Sequence, residues 1–148
     1  MKKMIPIAGF AALLFAACNN SGNGDAEIKQ LQEEAIAVHD EIMPHISAFD
    51  RNTVRIDSLL THLAELKETH ADLDTAQTRA ELTQLKGKLE NATNAMMDWM
   101  TAFDTDPQDK TTEEIKAYYE NEINNVQQLK QVFDEVAGES AEKLAPFQ

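Results

Sequence analysis

Apolar residues recur at alternating intervals of three and four along most of the chain. The longest series keeps its phase from Asp25, a suitable N-cap, to residue 68. Its main seam consists of Ile28, Ala35, Ile42, Phe49, Ile56 and Leu63. Pro44 lies inside this series, where it removes a backbone hydrogen bond and crowds the preceding turn. We therefore predict one long helix over residues 25–68, kinked at Pro44, with two helices broken at Pro44 as the alternative.

Two further amphipathic segments follow, each preceded by a turn and a capping residue. Asp74 is the N-cap of the second helix, predicted over residues 74–104. Thr111 begins a capping box for the third helix, predicted over residues 111–137. The connections are short, so neighbouring helices are expected to run antiparallel. The predicted fold is an all-α, up-down-up antiparallel three-helix bundle, with four helices as the alternative.

Polar and glycine positions refine this picture. His45 and Asn52 interrupt the first seam and are interpreted as residues that fix the helix register. Gly138 is expected to end the third helix and to leave residues 139–148 as a loose tail. Because heptad seams also associate between chains, the pattern leaves a homodimer open.

Composition excludes several function classes. The chain has 148 residues, a formal net charge of −13 and a single cysteine. Its length fits one domain, and its acidity disfavours binding to nucleic acid. One cysteine excludes an intramolecular disulfide framework and any multi-thiolate zinc site. No nucleophile, acid/base pair or metal triad can be placed on the pattern, so the chain is predicted not to be an enzyme.

The amino terminus has the features of an export signal. Residues 1–4 form a short basic segment, and residues 5–15 form an apolar run that is too short to span a bilayer. Residues 14–18, Leu-Phe-Ala-Ala-Cys, resemble the bacterial lipobox, although Phe15 stands where Leu is usual. The resemblance implies a signal peptide over residues 1–17, cleavage before Cys18, and acyl chains on Cys18.

The lipobox resemblance also implies a location. Acyl chains on Cys18 would hold the protein on a membrane without a spanning segment. Residues 18–24 have the composition of a flexible tether between the lipid and the folded domain. In lipoproteins of this kind, Asp directly after the cysteine implies retention at the inner membrane. This chain has Asn19 at that position, which implies the outer membrane. The periplasmic face of that membrane is expected.

The predicted register collects the unusual side chains at one level of the bundle. Met96 and Met97 are expected beside Tyr118 and Tyr119, and Trp99 opposite Met43. In one interpretation, large deformable side chains simply fill the space opened by the kink. In another, His39, Met43, His45, Met96 and Met100 bind copper as Cu(I), which prefers soft ligands. In a third, a cavity lined by Trp99, Phe103, Tyr118 and Tyr119 holds an apolar ligand or haem.

Short motifs suggest a family and a modification. Residues 39–44 and 96–100, followed by Phe103, resemble small cell-envelope lipoproteins of Bacteroidota, some of which are labelled viral A-type inclusion proteins. The resemblance implies an envelope location but no particular activity. The predicted function is that of a lipid-anchored, non-enzymatic helical bundle that acts through contact with an envelope protein or as a spacer. Residues 74–76 match the short motif that is O-glycosylated in exported proteins of that group, which makes Thr75 a candidate acceptor. The sequence predicts no cofactor, with copper at the methionine and histidine positions as the alternative.

Overall fold

The structure, a computed structural model, describes residues 21–147. It contains α1 (Ser21–Thr61), α2 (Leu63–Thr69), α3 (Thr75–Ala102) and α4 (Thr112–Leu144), followed by a short 3-10 helix (Ala145–Phe147). The all-α prediction is confirmed for this range. Because this range contains four α-helices, the predicted three-helix bundle is not confirmed. The predicted signal peptide over residues 1–17 and Cys18 lie outside the described residues.

The first helix begins at Ser21, earlier than expected. The predicted tether over residues 18–24 is therefore helical in the part that the structure describes, and that prediction is wrong there. Gly24 is buried, and a Cβ atom added to it would lie 3.0 Å from Cγ2 of Thr112. The missing side chain allows the start of α1 to lie close against the start of α4.

The break in the first helical segment lies at His62, and α1 runs through Pro44. The alternative of two helices broken at Pro44 is therefore wrong. Near the observed break, the hydroxyl of Thr61 donates to the carbonyl of Asp57 at 2.8 Å, and Nδ1 of His62 lies 2.8 Å from the carbonyl oxygen of Ser58. Side chains that bond carbonyls one turn back bend a helix, which accounts for the position of the break.

The predicted seams form the core. Each of the three long helices contributes a row of buried apolar side chains. These include Ala35, Ile42, Phe49 and Ile56 from α1, Leu82, Leu85, Leu89, Ala92, Met96 and Trp99 from α3, and Ile123, Val126, Phe133 and Val136 from α4. The predicted caps are also present, because Asp74 accepts bonds from two backbone N–H groups and Thr111 forms a capping box with Glu114.

Helices α1 and α4 run parallel and in register. Bonded partners on the two helices are 88 or 89 residues apart along the chain, from the Glu27–Lys116 ion pair near one end to Arg55 and Leu144 near the other. Asn52, which interrupts the first seam, donates a hydrogen bond of 2.8 Å to the hydroxyl of Ser140. A polar pair inside an apolar seam favours this one register over its neighbours.

Helix α3 runs antiparallel to both of these helices. Towards α1, Nζ of Lys86 lies 2.6 Å from Oδ1 of Asp57. Towards α4, Nζ of Lys88 lies 2.5 Å from Oε2 of Glu139, and Lys143 lies 3.5 Å from Glu81. The three long helices therefore have the predicted up-down-up directions, with α2 as an additional short helix.

The carboxyl-terminal segment is part of the bundle. Helix α4 continues through Gly138 to Leu144, so the predicted end at Gly138 and the loose tail over residues 139–148 are wrong over the described residues. Ser140 and Leu144 are 1% and 2% exposed. The guanidinium of Arg55 donates to the carbonyl of Phe147 at 2.7 Å. Burial and bonds beyond Gly138 outweigh the cost of about 1 kcal/mol of glycine inside a helix.

Candidate functional site

Aromatic rings from three helices form a continuous row beside the amino-terminal half of α1. His39 stacks on Trp99 with ring centroids 5.9 Å apart, and Trp99 lies 4.8 Å from Phe103. Phe103 lies 5.9 Å from Tyr119, which lies 5.1 Å from Tyr118. The structure thus brings the four predicted cavity residues together. Successive rings of these four residues pack against each other, with centroids 4.8 to 6.5 Å apart.

The two tyrosines lie farther from the methionines than predicted. The hydroxyl of Tyr118 accepts a hydrogen bond of 2.7 Å from the N–H of Asp104, and the hydroxyl of Tyr119 donates to the carbonyl of Asp104 at 3.2 Å. The prediction that Met96 and Met97 lie beside these tyrosines is therefore wrong. Burial raises the pKa of both phenols above the usual value.

The α3–α4 connection explains this shift in register. A turn at the middle of the connection would place Asp104 opposite the start of α4, but Asp104 bonds Tyr118 and Tyr119, so the connection passes beside the first turns of α4. Pro107 is buried, and the side chain of Gln32 on α1 donates to the carbonyl of Thr105 at 2.8 Å. Asp109 adopts a positive φ of 63°. A residue in this left-handed region turns the backbone locally, just before α4 begins.

The two histidines of the predicted copper site contact different helices. His39 stacks on Trp99 of α3. The sequence pattern predicts Met43 opposite Trp99, and His39 lies one helical turn before Met43. The ring of His45 lies 6.3 Å from that of Phe133 on α4 and 6.2 Å from that of Phe49. His45 therefore belongs to the α1–α4 seam, as its heptad position indicates.

The methionines also differ in accessibility. Met96 is fully buried in the core, whereas Met97 and Met100 are 49% and 38% exposed and Met43 is half-buried. The five predicted copper ligands are thus divided between the core, the α1–α4 seam and the outer surface. Among residues 21–147, no group of three or more His, Cys, Asp or Glu side chains is arranged to hold a metal ion.

The indole of Trp99 has an unusual environment. Its Nε1 is buried and has no hydrogen-bond acceptor. A buried donor without a partner costs about 1–3 kcal/mol. The sequence pattern marks Trp99 as a core residue and gives no sign of this unpaired group.

Several recesses lie along the helix boundaries, and the positions of two of them do not follow from sequence spacing alone. One of about 560 Å³ lies between α1 and α3 and is lined by Val54 and by the polar residues Asp50, Thr53, Glu90, Thr93 and Asn94. The other, of about 350 Å³, separates α3 and α4 and includes Ala92, Ala95, Leu129, Val132 and Val136. Both depend on how the helices pair, which a single amphipathic pattern does not specify.

Charge is unevenly distributed along the bundle. The half next to the start of α1, residues 24–46 and 96–135, holds 16 acidic side chains and four basic ones. The opposite half, residues 47–95 and 136–147, holds ten acidic and seven basic side chains. The aromatic row and the methionines therefore lie in the strongly negative half, whose field attracts cations.

The remaining predicted sites lie at element ends or beyond the described chain. Thr75 is the first residue of α3 and is half-buried, next to the capping residue Asp74. Cys18, the predicted lipidation site, lies outside the described residues. Within residues 21–147, no helix has the length and apolar character needed to cross a membrane.

Comparisons with known proteins give no relatives: no family model, curated protein or solved structure matches the chain.

Proposed function

We propose that this protein is a lipid-anchored, non-enzymatic helical bundle of the cell envelope that acts through protein contact or as a spacer. The observation that carries the proposal is the sequence Leu-Phe-Ala-Ala-Cys at residues 14–18, directly after a basic and apolar leader. The single cysteine of the chain lies where a lipobox requires it. Acyl chains on Cys18 would bind the membrane.

The architecture is compatible with a spacer. Helix α1 begins three residues after Cys18 and contains 41 residues, a length of about 60 Å at the rise of an α-helix. An anchor at Cys18 would therefore place α2 and the end of α4 at the far end of a rod. The proposed location is the outer membrane, with the bundle in the periplasm and an envelope protein as partner.

Incorporation of labelled palmitate tests the lipid anchor. Cells that express the full chain are expected to yield labelled protein in the membrane fraction, and Cys18→Ser is expected to remove the label. Ser47→Cys in the Cys18→Ser background is the matched control, because it restores a thiol outside the lipobox and should stay unlabelled. Label that persists in Cys18→Ser would contradict the proposal.

A further inference from the structure

The α1–α3 pairing places methionines opposite each other on the outer side of the bundle. Lys86 on α3 pairs with Asp57 on α1 at 2.6 Å. In an antiparallel heptad pairing, positions two heptads farther along occupy equivalent places. Fourteen residues after Lys86 is Met100, and fourteen residues before Asp57 is Met43. Met43 on α1 and Met100 on α3 therefore face each other as Asp57 and Lys86 do, two heptads farther along the pair of helices.

A third methionine shares this surface. Met97 precedes Met100 by three residues, a spacing that places two side chains next to each other on one helix face. Met97 and Met100 are 49% and 38% exposed, and Met43 is half-buried. Solvent therefore reaches these side chains, in contrast to the neighbouring Met96, which is fully buried.

We propose that Met43, Met97 and Met100 form a binding site for Cu(I). Their thioether sulfurs are soft, neutral ligands, a type that selects Cu(I) over hard cations. This set differs from the copper site predicted from the sequence, because Met97 replaces Met96 and neither histidine takes part. His45 packs edge to face against both Phe49 and Phe133, and His39 stacks on Trp99.

The surrounding charge favours a cation at this place. The half of the bundle that contains the three methionines holds 16 acidic and four basic side chains. Asp40 and Asp98 are exposed and lie within three residues of Met43 and Met97. A negative field raises the local concentration of a cation.

Competition for Cu(I) with a chromophoric chelator tests the site. The full chain is used with Cys18→Ser, in detergent and under anaerobic reducing conditions, so that no thiol competes for the metal. The double variant Met97→Leu with Met100→Leu is expected to weaken Cu(I) binding by at least tenfold, because even the loss of a residue that only supports a metal ligand costs about 10–100-fold in affinity. Met96→Leu is the matched control and is expected to leave the affinity unchanged. Leucine for methionine conserves volume, so both variants should fold.

Methyl NMR of labelled methionine gives a second readout, with Ag(I) as a redox-inert soft cation. Ag(I) is expected to shift the methyl signals of Met43, Met97 and Met100 and to leave that of Met96 in place. The proposal is overturned if Cu(I) binds no tighter than micromolar, if Met96→Leu weakens binding as much as the double variant, or if the Met96 signal shifts with the others.

Discussion

Removal of residues 139–148 is expected to destabilise the bundle by about 3–5 kcal/mol. The burial of Leu144 alone contributes about 1.5–3 kcal/mol, and the loss of Ser140 leaves the amide of Asn52 without its partner at a further cost of about 1 kcal/mol. Arg55 also loses both of its carbonyl acceptors. Denaturant unfolding followed by circular dichroism measures the change.

The matched control for this truncation is removal of Gln148 alone, which should leave the midpoint of unfolding in place. Because domains of this size have total stabilities of about 5–15 kcal/mol, the longer truncation should lower the midpoint markedly. A loss of less than about 1 kcal/mol would mean that the segment after Gly138 is the loose tail that its sequence suggests.

Phe133→Ala is expected to lower the free energy of unfolding by about 3–5 kcal/mol. The ring of Phe133 is fully buried and stacks on that of Phe49, with centroids 4.9 Å apart and planes at 6°. It also contacts the edge of His45. Truncation to alanine therefore opens a cavity at the centre of the α1–α4 seam, which thermal or denaturant unfolding would detect.

Val132→Ala provides the control for Phe133→Ala on the same helix. Val132 is 43% exposed, so its truncation should change the stability by no more than about 0.5 kcal/mol. Equal effects of the two substitutions would show that α4 does not present Phe133 to the core and would contradict the observed packing.

The helices and much of the core follow from the sequence because their signals are local. The spacing of Ile42, Phe49 and Ile56 places them on one side of any α-helix, and all three are buried in the structure. Asp74 and Thr111 cap the helices that they are predicted to cap, since a capping residue acts within its own first turn.

The end of α4 could not be obtained in the same way. Gly138 has the local features of a helix stop, but the residues after it are held by Asn52 and Arg55, which lie 88 to 92 residues earlier in the chain. Contacts over such separations are set by the pairing of α1 with α4. Local propensity is a weak prior that tertiary contacts of this kind override.

The candidate site shows the same division between local and long-range information. The clustering of methionines on α1 and α3 is visible in the sequence, but the choice between Met96 and Met97 as the accessible side chain depends on the rotation of α3 within the bundle. The position of the two tyrosines depends on the path of the α3–α4 connection, where the positive φ of Asp109 and the burial of Pro107 have no periodic signature.

Mass spectrometry of the mature protein extracted from membranes tests the central claim, a helical bundle anchored by lipid at one end. The account predicts a mature chain that begins at Cys18, lacks residues 1–17 and carries acyl chains on its first residue. The matching sample from Cys18→Ser should lack the lipid mass. An unmodified Cys18, or a mature amino terminus at any other residue, would contradict the account.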